Sequence, residues 1–142
     1  AGGWPYGYTS FRVDLTDHIR LEGSNQIAIR IDNPPNSSRW YPGGGIYRNV
    51  WLVKTEKTHI SHWGTTVIAT NVLAESAEIE LEISIDNDQN KQVTLSTESI
   101  VYYVDEKGNE QKVSQFDPEQ ISIEENNSRK TLSRLTIENP KL

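Results

Sequence analysis

The ten residues AEIELEISID, numbered 77–86, decide the fold class of this chain because they alternate strictly between two kinds of side chain. Apolar side chains stand at every odd position, and acidic or hydroxyl side chains stand at every even position. Successive side chains of a β-strand point to opposite faces of a sheet, whereas a helix would scatter the same residues around its circumference. The stretch therefore predicts a strand with one buried face and one acidic, solvated face.

The same two-residue period recurs along most of the chain, and no segment has a convincing helical period. Predicted strands cover residues 11–15, 27–31, 46–53, 66–72, 77–85 and 93–95, with further strands around Ile121–Ile123 and Leu135–Ile137. Residues 100–104 either continue the strand at 93–95 or follow a bulge near 97–99. Turns are predicted at 16–18, at the Pro34-Pro35 pair and at 107–109. Many short strands without helices predict an all-β sandwich.

A polar stretch at residues 55–58 predicts the boundary between two domains, residues 1–55 and 56–142. The second is about the size of a complete immunoglobulin-like β-sandwich. The first holds only about three strands, which is too few for a closed two-layer domain. Its unpaired edges invite pairing with other polypeptide. We therefore interpret residues 1–55 as the end of a larger domain. The abrupt opening AGGWP and the absence of methionine predict an excised piece, although removal of an initiator methionine before a small residue would look the same.

Composition narrows the classes of partner. The chain has 142 residues, a net charge of -6 and an isoelectric point near 5.0, which disfavours a nucleic-acid partner. No apolar run approaches the ~20 residues that span a bilayer, so no membrane partner is expected. Cysteine is absent, which excludes disulfides. No signal peptide is recognisable at the start, and the periplasm and the cytoplasm of a bacterium both stay open as the compartment.

The histidines do not predict a metal site. His59 and His62 are three residues apart, a spacing that turns their rings to opposite faces of a strand, and His18 is remote in sequence. No third ligand lies close to the pair. We expect neither a metal nor a cofactor in this chain.

The sequence SRWYPGGGIYRNV at residues 38–50 predicts a tight turn that runs into a buried strand. Three consecutive glycines allow backbone angles that other residues avoid. Arg48 is expected in a structural ion pair, and Trp51 is expected in a core. Trp40 and Tyr41 have two interpretations: they pack under the turn, or they face a sugar or a neighbouring domain.

Three motifs in order carry a resemblance to a known family. The stretches YGYTSFRVDLTDHI (6–19), NQIAIRIDN (25–33) and SRWYPGGGIYRNV (38–50) resemble the end of the first β domain in family 2 glycoside hydrolases of the β-galactosidase and β-glucuronidase group. The resemblance implies that residues 1–55 are the C-terminal strands of a galactose-binding-like jelly roll. It also implies that residues 56–142 are the immunoglobulin-like domain that follows. The ending IENPKL (137–142) looks like the exit from that domain.

The same resemblance implies the chemistry of the parent protein. Family members are retaining glycosidases that hydrolyse terminal β-glycosidic bonds with two glutamates on a (β/α)₈ barrel. That barrel follows the immunoglobulin-like domain, so no catalytic residue is assigned in this chain, and the fragment alone is expected to be inactive. The pair Asn109-Glu110 echoes the family's acid/base motif, but it stands in a turn signal and is not assigned a catalytic role.

The resemblance also selects a substrate-proximal loop formed by Ser38, Arg39, Trp40 and Tyr41. In the family, this turn points toward the mouth of the active site. Some relatives carry an aspartate just before the tryptophan, where this chain has Arg39. The side chain of Arg39 therefore either contacts the sugar or pairs with a carboxylate of the barrel.

The expected partners are the barrel of the parent chain, a carbohydrate substrate in the parent, and a second copy that pairs through exposed strand edges. Two other classes of function remain open at this point. A freestanding carbohydrate-binding module would need a complete sandwich with an aromatic platform. A structural immunoglobulin-like module would be followed by further sandwiches in place of a barrel.

Overall fold

The computed structural model describes residues 8–36 and 43–140. The chain divides into two compact units, Ala1–Trp51 and Leu52–Leu142, a division that falls a few residues before the predicted boundary. The described residues contain strands and one short 3₁₀ turn, which confirms the predicted all-β class. No helix among them is long and apolar enough to cross a membrane.

Seven strands lie in the part of the second unit that the structure describes. They are β1 (Thr58–Thr70), β2 (Ser76–Asn87), β3 (Val93–Thr97), β4 (Ile100–Val104), β5 (Glu110–Gln115), β6 (Glu119–Ile123) and β7 (Asn127–Glu138). All pairings are antiparallel, in a three-stranded sheet of order β1-β2-β7 and two ladders, β3-β6 and β4-β5.

The odd-numbered face of β2 forms the core, as the alternation predicts. Leu81, Ile83 and Ile85 are buried there and cluster with Phe116 of the β5–β6 connection and with two residues of β6. Full burial of one such side chain contributes about 1.5–3 kcal/mol. This cluster is therefore the main source of stability in the described chain.

The even-numbered face of β2 is polar and carries cross-strand ion pairs. Arg134 Nε lies 2.6 Å from Glu80 Oε1, and Lys130 Nζ lies 2.8 Å from Glu82 Oε1. These side chains are partly exposed, and such pairs contribute about 0–1 kcal/mol each. The predicted solvated acidic face is confirmed, with basic residues of β7 added across it.

Strands β3 and β4 correct one prediction. They neither continue each other nor share a ladder around a bulge, because β3 pairs with β6 and β4 pairs with β5. Two residues separate them, and the N–H of Phe116 donates to the carbonyl of the second, Ser99. The sequence pattern misses β5, since Val113 is the one aliphatic residue in its six. The turn at 107–109 is confirmed, with Gly108 at φ 82°.

The sequence pattern also does not predict a shift of register within β1. The register with β2 shifts between Ile60 and Thr65, and Trp63 within that interval has φ 55°. A Cβ atom on Gly64 would lie 2.7 Å from the backbone oxygens of Ser61 and Ser84. Only glycine fits that close approach. Trp63 is 81% exposed and is not a core residue of its unit.

The first unit lacks the strands that its pattern predicts. The described residues before Leu52 lie in no β-ladder, and the prediction of strands at 11–15, 27–31 and 46–53 is wrong for this chain. Their apolar side chains are largely exposed, including Ile29 at 54% and Trp51 at 78%, so Trp51 is not in a core. A strand needs a hydrogen-bonded neighbour, and three short strands cannot build two layers.

Local structure does form in the first unit. A 3₁₀ turn covers Thr16–His18, which confirms the predicted break after Leu15. The side chain of Asn25 accepts from the N–H of Arg20 and donates to its carbonyl, at 2.9 and 2.8 Å. These contacts span at most five residues and need no distant partner.

Candidate functional site

The four residues predicted to approach the substrate, Ser38, Arg39, Trp40 and Tyr41, lie outside the described residues. Their role stays a prediction, and the site can be built only from the residues that flank them. On the N-terminal side, Asn36 has φ 60°, a left-handed conformation that asparagine tolerates better than most residues. The chain therefore enters the predicted loop through a tight turn.

On the C-terminal side, close approach explains one of the three glycines, Gly44, and none of the three has the unusual backbone angles that the sequence predicts. A Cβ on Gly44 would lie 3.0 Å from Cγ2 of Ile31 and 3.4 Å from Cβ of Asn33. Gly43 and Gly45 have open space around them, and neither has a positive φ. The second and third motifs are thus in contact at Gly44.

Arg48 links the third motif to the first. Its Nη1 lies 3.3 Å from Ser10 Oγ, and its guanidinium sits 5.3 Å from the centroid of the Tyr47 ring. A cation over an aromatic face is worth about 0.5–1 kcal/mol when it is exposed. The described contacts of Arg48 are therefore a hydroxyl and an aromatic ring, whereas an ion pair was predicted.

A polar cluster joins the three strands of the large sheet. Asp86 of β2 accepts hydrogen bonds from the hydroxyls of Ser61 in β1 and Ser128 in β7, both at 2.6 Å. The Nε2 atom of His59 lies 3.9 Å from Asp86 Oδ2, and its Nδ1 atom lies 4.0 Å from Asp88 Oδ2. Both distances are near the limit for an ion pair. Sequence reasoning missed this cluster because cross-strand register brings the residues together.

The hydrogen bonds of this cluster hold three neighbouring strands together and do not form a nucleophilic site. The hydroxyl of Ser61 donates to Asp86, so it is not activated by His59. No group of three or more histidine, aspartate or glutamate side chains in the described parts of the chain could hold a metal ion. His62 is not part of the cluster, because its ring stacks on Trp63 with centroids 4.6 Å apart.

The pair Asn109-Glu110 lies in the β4–β5 hairpin. Oδ1 of Asp105 accepts from the N–H groups of Lys107 and Asn109, both at 2.8 Å, and Oδ2 accepts from the Asn109 side chain. The hydrogen bonds from Asn109 are the main reason that the pKa of the exposed Asp105 carboxyl is lowered. Asn109 therefore closes a turn.

One apolar groove of about 690 Å³ opens beside β1 in the second unit. We call it the β1 groove. It is lined by residues of β1 and β2, by the segment from Leu95 to Tyr102, and by Phe116. Sequence reasoning did not find it, since each of its walls looks like an ordinary buried strand face.

Comparison with known proteins identifies the family. No protein-family model matches the chain. Beta-galactosidase BoGH2A of Bacteroides ovatus is 46% identical over 95 residues, which cover 64% of this chain and 11% of that protein. The chain belongs to glycoside hydrolase family 2, in the β-galactosidase and β-glucuronidase group. A beta-glucuronidase of Formosa agariphila in the same group is 30% identical over 159 aligned residues, covering 96% of this chain and 16% of that protein.

A solved structure of this group shares the fold. A Bacteroides fragilis protein that is assigned as a beta-galactosidase matches with a TM-score of 0.52 and 22% identity, over 62% of this chain and 13% of its own length. At that identity the match shows the fold alone. The chain spans 11% and 16% of the lengths of the two curated relatives above, so it corresponds to a small part of a family 2 protein.

Proposed function

We propose that this chain is the non-catalytic part of a β-galactosidase-like family 2 glycosidase. One observation carries the proposal: the chain is 46% identical to a beta-galactosidase over 95 residues that make up only 11% of that enzyme. Residues 1–55 would be the C-terminal part of a galactose-binding-like jelly roll, and residues 56–142 would be the immunoglobulin-like domain. The carbohydrate is then a substrate of the parent, and the natural partner is the parent's barrel.

In this proposal the parent hydrolyses a terminal β-linked galactoside or glucuronide with retention of configuration. Such enzymes need two carboxyl groups about 5–5.5 Å apart on opposite sides of the scissile bond. The carboxylates of β2 support an inactive fragment, because Glu80 and Glu82 lie on an open sheet face and are paired with basic side chains. The pair of catalytic glutamates would stand on the barrel, outside this chain.

The test of inactivity is an assay of two proteins side by side. The purified 142-residue chain and the longer protein encoded by the same reading frame are each incubated with nitrophenyl β-galactoside and nitrophenyl β-glucuronide. We expect turnover of one substrate by the longer protein and none by the 142-residue chain. Turnover by the 142-residue chain, with contaminating enzyme ruled out by active-site titration, would contradict the proposal.

The loop of Ser38, Arg39, Trp40 and Tyr41 is proposed to approach the substrate in the parent. Gly44, three residues after this loop, lies close to Ile31 and Asn33, which supports a fixed position for the chain where it leaves the loop. Trp40→Ala in the longer protein should raise KM about tenfold with little change in the melting temperature, because a flat aromatic face stacks on sugar C–H groups.

Trp51→Ala is the matched control for the loop, since Trp51 is an exposed tryptophan that directly follows the same motif. We expect it to leave KM within about twofold of the unmodified enzyme. Equal KM values for the two variants would show that Trp40 does not contact the substrate, which would contradict the proposed role of the loop. If Trp40→Ala alone lowered the melting temperature, that result would instead favour packing of Trp40 under the turn.

A freestanding carbohydrate-binding module is the second candidate, and isothermal titration separates it from the first. The 142-residue chain is titrated with galactose and with a β-galactoside. Under our proposal neither sugar binds at millimolar concentration, because the barrel that completes the pocket is missing. Micromolar binding by this chain alone would favour the module.

A further inference from the structure

The core of the second unit is covered on only part of its width. In the β1–β2 ladder, Ile60 stands opposite Ile85 and Val67 stands opposite Leu81, so all four side chains share the inward face of the sheet. Ile85 and Leu81 are buried, but Ile60 is 54% exposed and Val67 is 63% exposed. The layer that covers β2 therefore stops short of β1.

The space left above β1 is the β1 groove. Its opposite wall includes Leu95 of β3 and Ile100, Val101 and Tyr102 of β4. Glu98 is the one carboxylate among the described residues that line it. Apolar surface that stays in contact with water on both walls is unfavourable, so covering this groove would stabilise the protein.

The backbone beside the groove can accept another strand. β3 pairs with β6 along one edge, and no strand in the described ranges pairs with its other edge. β1 likewise pairs only with β2 among the described strands. Unpaired N–H and C=O groups along a strand edge are the usual site of strand addition.

We propose that the β1 groove is filled by an extended strand from the same longer polypeptide, outside residues 1–142. The strand adds at the free edge of β3 and places alternate apolar side chains over Ile60 and Val67. The proposal rests on the proposed function, since it needs a longer family 2 protein. The length of the two curated relatives supports this source, because this chain matches only 11% and 16% of them.

A second copy of this chain is the competing occupant, and charge disfavours it. Each chain has a net charge of -6. Two copies would bring like charges together at the rim of an otherwise apolar contact, and such self-repulsion opposes association at low salt. A strand from the same polypeptide also arrives at a high effective concentration.

Hydrogen exchange on the unmodified proteins tests the proposal without any substitution. Backbone amides of β1 and β3 are followed by mass spectrometry in the 142-residue chain and in the longer protein. We expect the amides of β3 to exchange at least about tenfold more slowly in the longer protein, because the added strand pairs with them. Amides of β2, which is central in its sheet, serve as the internal reference. Equal protection of β3, relative to β2, in both proteins would overturn the proposal.

A pair of neighbouring substitutions tests the side-chain contact. Val67 faces the groove, whereas Ile68 stands opposite Glu80 on the outer face of the sheet. In the longer protein, Val67→Asn should lower the melting temperature by about 5 °C more than Ile68→Asn does, since only the first buries an amide in an apolar contact. In the 142-residue chain the two variants should differ little. An equal effect in the longer protein would overturn the proposal.

Two results separate this proposal from others. Sedimentation of the 142-residue chain as a dimer that Val67→Asn dissociates and Ile68→Asn does not would assign the groove to a second copy, and would overturn the proposal. If the longer protein hydrolysed neither glycoside, that result would contradict the proposed function but not the added strand, because the exchange and melting measurements do not depend on activity.

Discussion

Residues 27–31 and residues 79–85 both carry isoleucine or leucine at every second position, but the two segments differ in structure. Ile79 to Ile85 lie in the centre of a three-stranded sheet and supply half of its core. Ile27, Ile29 and Ile31 lie in no ladder and are about half exposed or more. The alternating pattern therefore determines which side chains share one face of a strand, whereas the neighbouring strands determine whether that face is buried.

The two regions are alike at short range. Asp14 in the first unit accepts from the Thr16 hydroxyl and N–H, and Asp105 in the second closes its hairpin with Asn109 in the same way. Contacts within a few residues cost little loop-closure entropy, so both regions make them. The core contacts of the second unit span many more residues and depend on β6 and β7.

The largest expected effect comes from truncating one core side chain. Ile121→Ala should lower the free energy of unfolding by about 3 kcal/mol, because Ile121 is 1% exposed and its removal leaves a cavity. Ile29→Ala in the first unit should cost less than about 0.5 kcal/mol. Urea denaturation of the 142-residue chain measures both.

A comparable loss for Ile29→Ala would show that the first unit has a core of its own and would break the comparison. If Ile121→Ala does not fold, Ile121→Val serves instead. It should cost about 1 kcal/mol, which is still distinguishable from the exposed control.

The next effect comes from a buried amide. Asn87 is fully buried, and its Nδ2 donates to the carbonyls of Lys91, Ile123 and Glu124. Asn87→Ala should cost about 2 kcal/mol, since these carbonyls lose their donor inside the protein. Asn90→Ala, at an exposed position three residues later, is the control and should change the unfolding midpoint very little.

If the Asn87 and Asn90 variants melted at the same temperature, then the amide would not hold the β2 end to the β6–β7 turn. The difference between these two asparagines sharpens the comparison between the units, because the long-range bond of Asn87 is buried, whereas the bond from Arg48 to Ser10 in the first unit is exposed.

A smaller effect is expected from the glycine in the β1 irregularity. Gly64→Ala should cost about 1–2 kcal/mol, because the new Cβ would lie 2.7 Å from two backbone oxygens and the strands must move apart. Gly45→Ala in the first unit meets nothing within 4 Å and should leave the melting temperature unchanged or raise it slightly. Calorimetry of the two variants provides the measurement. An unchanged melting temperature in Gly64→Ala would mean that β1 and β2 are not closely paired there.

The smallest effect concerns the two local carboxyls. The Thr16 hydroxyl, and then its N–H, lowers the pKa of Asp14, while the Asn109 side chain, and then its N–H, lowers the pKa of Asp105. A lowered folded-state pKa stabilises above the unfolded pKa, and that contribution is lost as the pH falls through the folded value. An NMR titration should therefore place both carboxyls below the ordinary aspartate range.

Two variants check the cause of these shifts. Thr16→Val should return the pKa of Asp14 toward its ordinary value, and Asn109→Ala should do the same for Asp105. A response in the second unit without one in the first would contradict our view that short-range contacts form equally in both.

Much of the second unit was predictable from its pattern, and the reasons for the misses are specific. β2, β6, β7 and the Gly108 turn follow from alternation and turn residues. β5 did not, because its apolar content is too low for a pattern and the hairpin partner alone makes it a strand. The separate pairing of β3 and β4 could not be seen either, since pairing depends on which strands fold back beside them.

The candidate site was predictable only as far as its motifs. Ser38, Arg39, Trp40 and Tyr41 were selected by resemblance, and their role stays a prediction. The Asp86 cluster and the β1 groove had no sequence signal, because each joins residues from strands that are distant along the chain. The motif order, in contrast, was sufficient for the family, which the similarity to beta-galactosidase BoGH2A confirms.

The amino-acid sequence by itself determined the all-β class, the inward and outward faces of β2, β6 and β7, the local turns, and the family. Tertiary structure alone decided which alternating segments become strands, where the register of β1 shifts near Gly64, and which part of the core stays open. The physical reason is that face and turn preferences are carried by neighbouring residues, whereas a strand exists only when another strand supplies its hydrogen bonds and covers its apolar side.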